Sequence, residues 1–240
     1  MPYGPILALD TSGSFCSVAV MAIDGTITLQ ASPGTSRTST AQSDHFEQLP
    51  RLIRNVCDNA RVKVQELTAL RVGLGPGSFT GLRIGMSFAK GMATALRIPL
   101  VGVCSFRAAA IAASRKIGTP CAVNIISDAR RDELFFGSFD VDATGCRSTR
   151  VPAIVSTGKA LELARGNKTN TYSPERGLLL NGSEVNAISS IAEGVLLENG
   201  DNASFSIERI AALEPTYIRG VSAQSIAERK LARGSGELAS

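Results

Sequence analysis

The chain has 240 residues, 44% of them hydrophobic and 19% charged, with a formal net charge of +4. That length buries a sizeable core in one large domain or two small ones, and the composition is globular rather than disordered or fibrous. No apolar run reaches the roughly 20 residues of a membrane span, the mild positive charge permits contact with nucleic acid without arguing for it, and five cysteines without a C-x-x-C pair read as reduced thiols of a cytoplasmic protein, not as a disulfide frame or a zinc site.

The N-terminal residues lack a basic segment and their apolar run is broken by Asp10, so no secretory signal is expected. Residues 6–10 read as an apolar strand that ends in the turn Asp10-Thr11-Ser12-Gly13-Ser14. A second strand over 15–23, an Asp24-Gly25 hairpin turn and a third strand over 26–31 follow. After a Ser/Thr-rich loop (32–43) comes an amphipathic helix over 44–60. Phe46, Leu49, Leu52, Ile53, Val56, Cys57 and Ala60 fall on one side, and Glu47, Arg51, Arg54 and Asp58 on the other. Pro50 is expected to kink it near Phe46.

Strands over 68–74 and 99–103 alternate with helices over 78–97 and 105–116, the pattern of an α/β fold with a largely parallel sheet. The opening pattern then returns: strand 121–127, a turn from Asp128 to Asp132, strand 134–140, a turn at 143–145 and a short strand over 147–151. Asp10 and Asp128 hold matching places, which suggests two related halves. The chain divides on this reading into 1–104, 105–220 and a C-terminal helix and tail, 221–240. Residues 158–164 form a short helix, 166–177 a loop and 178–180 a strand ending at Asn181-Gly182-Ser183. Residues 184–204 carry little signal. Ser206 caps a helix over 207–213, Ser222 caps another over 223–232, and 234–240 is a frayed tail.

The most specific stretch is Gly75-Pro76-Gly77-Ser78-Phe79-Thr80-Gly81-Leu82-Arg83-Ile84-Gly85, a glycine loop that opens a helix. Such a loop can bind an anion on free N–H groups or admit close backbone contact. It is not a Walker A loop, because Leu82 follows Gly81 where lysine is needed, and Thr80 breaks the dinucleotide G-x-G-x-x-G. In the following helix Gly81, Gly85, Ala89 and Ala93 form a small-residue row, with Ile84, Phe88, Met92 and Leu96 beside it and a narrow polar stripe opposite. The helix is therefore covered on more than one side, either by its own domain or by a partner helix on the small-residue row.

Asp10, Thr11 and Ser12 at a strand end, with Asp128 opposite, could hold phosphate and magnesium, but Arg130 and Arg131 stand where such a turn would need glycine. The site reads as incomplete or lost. The single histidine, His45, rules out a two-histidine metal site and lies on the apolar side of its helix. Cys16, Cys57 and Cys104 read as core residues.

The motifs Leu7-Ala8-Leu9-Asp10-Thr11-Ser12, Ser43-Asp44-His45-Phe46-Glu47-Gln48-Leu49-Pro50, the glycine stretch from Gly75 to Arg83, Asp128-Ala129-Arg130 and Pro215-Thr216-Tyr217-Ile218-Arg219 occur in order. Together they resemble the bacterial TsaB (YeaZ) family, over 5–155 and again from 215. The resemblance implies a duplicated actin-like fold of two subdomains, of the sugar kinase/Hsp70 type. It implies a non-catalytic paralogue of TsaD, which transfers threonylcarbamoyl to adenosine 37 of tRNA. Where TsaD carries an H-x-x-x-H metal pair, the comparable segment 103–109 has no histidine. The helices matching 44–60 and 78–97 then form the surface that pairs with TsaD, or with a second copy when TsaD is absent, and the ATPase TsaE joins the assembly.

The expectation is thus a partner-binding subunit that uses Leu49, Leu52, Ile53, Gly81, Gly85, Ala89 and Met92. It has no cofactor of its own (ATP and magnesium sit on partner subunits) and only indirect contact with tRNA. The rival from another class is an actin-like ATPase or small-molecule kinase acting through Asp10 and Asp128. A glycoprotease reading is weak, with neither metal ligands nor a triad in view.

Overall fold

The computed structural model describes residues 4–32, 44–166, 169–198 and 204–218. Expectations for the side chains of His45 and Phe46, and for the helix 223–232 and the tail, lie outside what is described. Two five-stranded sheets organise the chain. The first has the order β3-β2-β1-β4-β5, built from β1 (Ile6–Asp10), β2 (Ser17–Met21), β3 (Ile27–Ala31), β4 (Ala69–Gly73) and β5 (Leu100–Val103). β1–β2 and β2–β3 are antiparallel hairpins, and β1–β4 and β4–β5 run parallel through crossover helices α1 (Asp44–Asn59) and α2 (Phe79–Leu96). α3 (Ser105–Ile117) leaves the end of β5.

The second half repeats this plan. β6 (Cys121–Arg130), β7 (Glu133–Asp142) and β8 (Gly145–Ser156) form the antiparallel meander, α4 (Thr157–Gly166) crosses over, and β9 (Asn170–Ser173) and β12 (Asn186–Ala187) add in parallel. The resulting order, β12-β9-β6-β7-β8, is the first sheet's order read from the other edge. Where the first half has α2, the second has only the small hairpin β10 (Leu179–Leu180) and β11 (Ser183–Glu184). α5 (Ile191–Leu197) closes this half as α3 closes the first. The chain is a duplicated actin-like fold of two subdomains, and no helix among the described residues is long and apolar enough to cross a membrane.

β9 falls inside the stretch expected to be a loop. Its sequence, Asn170-Thr171-Tyr172-Ser173, lacks the apolar alternation that marks a strand, yet it pairs on both sides, with β6 and β12. Its polarity is matched laterally: Asn124 Nδ2 reaches Thr171 Oγ1 (3.5 Å) and Ser138 Oγ donates to Asn124 Oδ1 (2.8 Å), a polar row across three strands. β6 also runs on through Asp128 to Arg130, past its expected end, with a bulge between those two residues. Pro50 is accommodated within α1 on its solvent side.

The helix enclosed by its own fold is α3, not α2. Its alanines 108, 109, 110, 112 and 113 are fully buried, as is Phe106. α3 packs on β6–β8 and against α5, which in turn lies on β1, β2 and β4. The alanines let α3 and α5 approach until Gly194 of α5 meets the Ala108 carbonyl, where any Cβ would overlap it. Chain order and spatial order therefore part after β12. α5, α6 (Ile207–Ala212) and the segment to Ile218 return to the first sheet and its helices, with Lys90 of α2 donating to the Ala211 carbonyl (2.9 Å).

Two glycine substitutions separate close packing from helix propensity. Gly194→Ala should lower the free energy of unfolding by about 1–3 kcal/mol. Gly91→Ala, at an exposed α2 position with no atom near its missing Cβ, should raise it by about 0.5–1 kcal/mol. Urea denaturation of both variants checks the pair.

Candidate functional site

The strand end that reads in sequence as an incomplete or lost phosphate site is surrounded by the chain itself. Asp10 is fully buried. Its Oδ1 accepts from Ser12 N (2.9 Å) and Ser12 Oγ (2.6 Å), and its Oδ2 from Ser105 Oγ (2.6 Å) at the first turn of α3. Ser105 Oγ in turn accepts from Gly75 N (2.9 Å), and Ser105 N donates to Gly75 O (2.9 Å). A buried carboxylate is tolerable only with such donors around it. Here all three belong to the fold: the β1–β2 turn supplies two and α3 the third.

The glycine loop packs backbone to backbone on that same turn. Ser78 N donates to Ser12 O (2.7 Å), and Thr11 Oγ1 donates to Gly81 O (2.7 Å). A Cβ on Gly77 would overlap Ser12 O, one on Gly81 would overlap Thr11 O, and one on Gly85 would overlap Thr11 Oγ1. Gly75 and Gly77 adopt φ of 97° and 158°. Gly75 is the one of the two in the left-handed region that favours glycine. The loop thus seats the β1–β2 turn, and Ser78 Oγ caps α2 by accepting from Gly81 N (3.2 Å).

The matching turn of the second half keeps the same local device. Asp128 Oδ1 accepts from Arg130 N (2.8 Å), as Asp10 Oδ1 accepts from Ser12 N two residues on. Asp128 differs in exposure and partners: its side chain is 12% exposed, beside the Arg130 guanidinium (3.4 Å). Arg130, Arg131 and Asp132 all take positive φ in this turn. Asn181 and Gly182 form the tip between β10 and β11, both at positive φ.

The residues expected to meet a partner are mostly turned inward, which corrects that assignment. Gly81, Gly85 and Ala89 are the inner row of α2, seated on Leu9 and Thr11 of the first half. Leu49, Leu52 and Ile53 of α1 are core residues, 0%, 7% and 4% exposed. The row at i, i+4 spacing marks where α2 lies close on β1 and its turn. Met92 is the exception, half-buried on the outer flank with Ile84, Phe88 and Leu96. Around it Thr80, Arg83, Ser87, Gly91 and Ala95 are exposed. Phe79 is 42% exposed, with the Arg83 guanidinium 3.5 Å over its ring and the Tyr217 ring 5.2 Å away.

A sequence model of the family described as "TsaD: tRNA N6-adenosine threonylcarbamoyltransferase" matches residues 26–229. The tRNA threonylcarbamoyladenosine biosynthesis protein TsaB of Escherichia coli is 31% identical over 140 residues, 58% of this chain and 57% of that protein. The chain belongs to the TsaD family. YeaZ from Pseudomonas aeruginosa superposes with a TM-score of 0.61 at 25% identity, over 81% of this chain and 89% of that one. A second Pseudomonas aeruginosa structure, titled as similar to peptidase YEAZ, gives a TM-score of 0.67 at 24% identity over 90% and 100%, a likeness of fold. The chain spans little more than half the length of the curated Escherichia coli relative it matches.

Within this TsaD-family fold, three contacts were not foreseen from sequence: Ser105 on Asp10, Glu175 on the Asp128 turn, and the Arg83–Phe79–Tyr217 stack. Phe79 and Arg83 carried a signal as part of the glycine stretch and Tyr217 as part of the C-terminal motif, whereas Ser105 and Glu175 carried none. Cys16, Cys57 and Cys146 are buried core thiols, while Cys104, expected in the core, is half-buried. Burial, with the Asp10 charge adding to it, pushes Cys16 up to about 12, and burial takes Cys146 to about 12 and Cys57 to about 11, from an ordinary 9.0.

Two outcomes follow for the chain. Gly85→Leu should destabilise the isolated chain by about 1–3 kcal/mol or more, read by thermal or urea melts, because the side chain meets Thr11 and Leu9. The folded state also holds its thiol protons to higher pH than the unfolded chain does. Stability from this source is therefore fully present below pH 9.0 and is lost as pH rises through the folded values near 11 and 12. Urea midpoints taken across that alkaline range should fall, and fall less in Cys16→Ala.

Proposed function

We propose that this chain is a non-catalytic subunit of the tRNA threonylcarbamoyladenosine machinery that pairs with TsaD and supports threonylcarbamoyl transfer to adenosine 37 of tRNA. The observation that carries the reading is the Asp10 web. The carboxylate best placed for nucleotide chemistry is buried and hydrogen-bonded to Ser12 and Ser105 of its own fold. On this reading ATP and magnesium belong to the partner subunits, TsaE joins the TsaD-bound pair, and contact with tRNA is made through the partners.

The outer face of α2 supports the pairing surface. Phe79 and the half-buried Met92 offer apolar area, and Arg83 is held over Phe79 in a fixed, exposed pose. Buried aromatic and arginine anchors dominate interface energies, and such residues are set here before any partner arrives. α1 extends this face with exposed Pro50, Arg51 and Arg54. A second copy of the chain occupies the same face when TsaD is absent.

Size-exclusion chromatography with light scattering should give a complex of the chain with TsaD. Phe79→Ala and Met92→Glu should each weaken it about tenfold or more, with the melting curve of Phe79→Ala near that of the unmodified protein. Calorimetry of the isolated chain with ATP and magnesium should give no binding heat. Undiminished pairing by both variants would remove α2 from the interface. Micromolar ATP affinity lost in Asp10→Ala would return the chain to the kinase class.

A further inference from the structure

The chain segment after β9, Pro174-Glu175-Arg176-Gly177, stands in the second half where the glycine loop stands in the first: each follows the second parallel strand and packs on its own half's hairpin turn. The two do so with opposite polarity. The glycine loop donates to its turn, Ser78 N to Ser12 O. The segment after β9 instead presents a carboxylate. Glu175 Oε1 accepts from Ser127 Oγ (2.7 Å) and from Asp128 N (3.0 Å), and Glu175 N donates to Ser173 Oγ (3.0 Å), which fixes the backbone behind the side chain. Ser127 and Ser173 are fully buried. The Asp128 carboxylate is turned away toward Arg130, whose N–H (2.8 Å) and guanidinium (3.4 Å) it meets, so the Asp128 N–H is directed to Glu175 rather than to its own side chain.

The same segment also reaches the first half. Ser14 N donates to Pro174 O (3.2 Å) and Arg176 N donates to Ser14 Oγ (2.8 Å). A Cβ on Gly13 would overlap the Pro174 carbonyl. One short strap therefore touches both hairpin turns, Gly13–Ser14 of the first half by backbone and Ser127–Asp128 of the second by its carboxylate.

A hydroxyl and a backbone N–H converging on one anionic oxygen make an oxyanion seat, and charge-assisted hydrogen bonds of this kind are the stronger ones. We infer that Ser127 Oγ–H and Asp128 N–H form an anion seat of the phosphate class that the chain fills with its own Glu175, so that the strap acts as a built-in ligand joining the two halves. The inference is independent of the partner surface on α2. It describes how the strap holds the two hairpin turns, not what the chain assembles with.

Hydrogen exchange of the Asp128 amide reads the seat directly. Glu175→Ala should speed its exchange about tenfold or more. Millimolar inorganic phosphate should then slow it again in the variant and leave the unmodified protein unchanged. ATP is the second arm: protection at lower concentration than inorganic phosphate assigns the seat to a nucleotide's phosphates, and equal protection assigns it to the free anion. Glu175→Gln keeps the strap's shape and one acceptor oxygen while removing the charge, so it serves if the alanine variant does not fold. In it the amide should exchange faster than in the unmodified protein and be slowed by phosphate. Gly13→Ala displaces the Pro174 carbonyl but retains the carboxylate, and should speed the Ser14 amide with no phosphate effect at Asp128. Unchanged exchange at Asp128 in both Glu175 variants, or fast exchange that neither phosphate nor ATP slows, overturns the inference.

Discussion

One buried carboxylate organises the first half. Asp10 stands at the end of the central strand of its sheet, and leaving a charge there without donors would cost several kcal/mol. Its oxygens instead gather the β1–β2 turn through Ser12 and the start of α3 through Ser105, and Ser105 carries the link on to Gly75. Three segments that are remote in sequence are thereby fixed around one point. Such a network is stabilising only when complete, and the β4 residue beneath it must be glycine, since a Cβ on Gly73 would fall on Asp10 Oδ2.

The glycine loop is the second consequence of that point. Once the β1–β2 turn is pinned by Asp10, the chain entering α2 must pass over it at backbone distance, and only glycine leaves room at 77, 81 and 85. A sequence that resembles a phosphate loop thus serves as a seat for another piece of its own backbone. This seating turns the small row of α2 inward and leaves Phe79, Arg83 and Met92 on the free side. The same arrangement that surrounds the Asp10 strand end with the chain's own donors shapes the face proposed for a partner.

Duplication explains the rest of the architecture and its asymmetry. α3 and α5, equivalent in the two halves, meet at the centre through alanines and Gly194. The Asx turn is retained at both Asp10 and Asp128. The halves diverge where the second replaces α2 by a short hairpin and the glycine loop by the Glu175 strap. At the far end of α5, Glu198 is raised above its ordinary value by burial, and the Arg107 guanidinium at 2.6 Å offsets part of that rise. Arg71 of β4 holds the carbonyls of Leu196 and Glu198, so the end of α5 is tied to β4 and to α3 of the first half.

The amino-acid sequence alone determined whatever depends on local code. Apolar patterning marked the places of β1 to β8, though β6 and β8 run well past their expected ends, Ser206 announced the cap that α6 uses, and the repeated hairpin with its aspartate announced the duplication. It also determined that 81, 85 and 89 must be small, since close approach needs short side chains whatever lies opposite. What lies opposite was decided only in three dimensions. Ser105 meets Asp10 across 95 residues and Glu175 meets Asp128 across 47. β9 is a strand because β6 and β12 flank it, not because of its letters. Helical spacing specifies that a face is close-packed, and the long-range register of the sheets specifies against what. The inward turn of the glycine row and the Glu175 strap therefore belong to the tertiary structure.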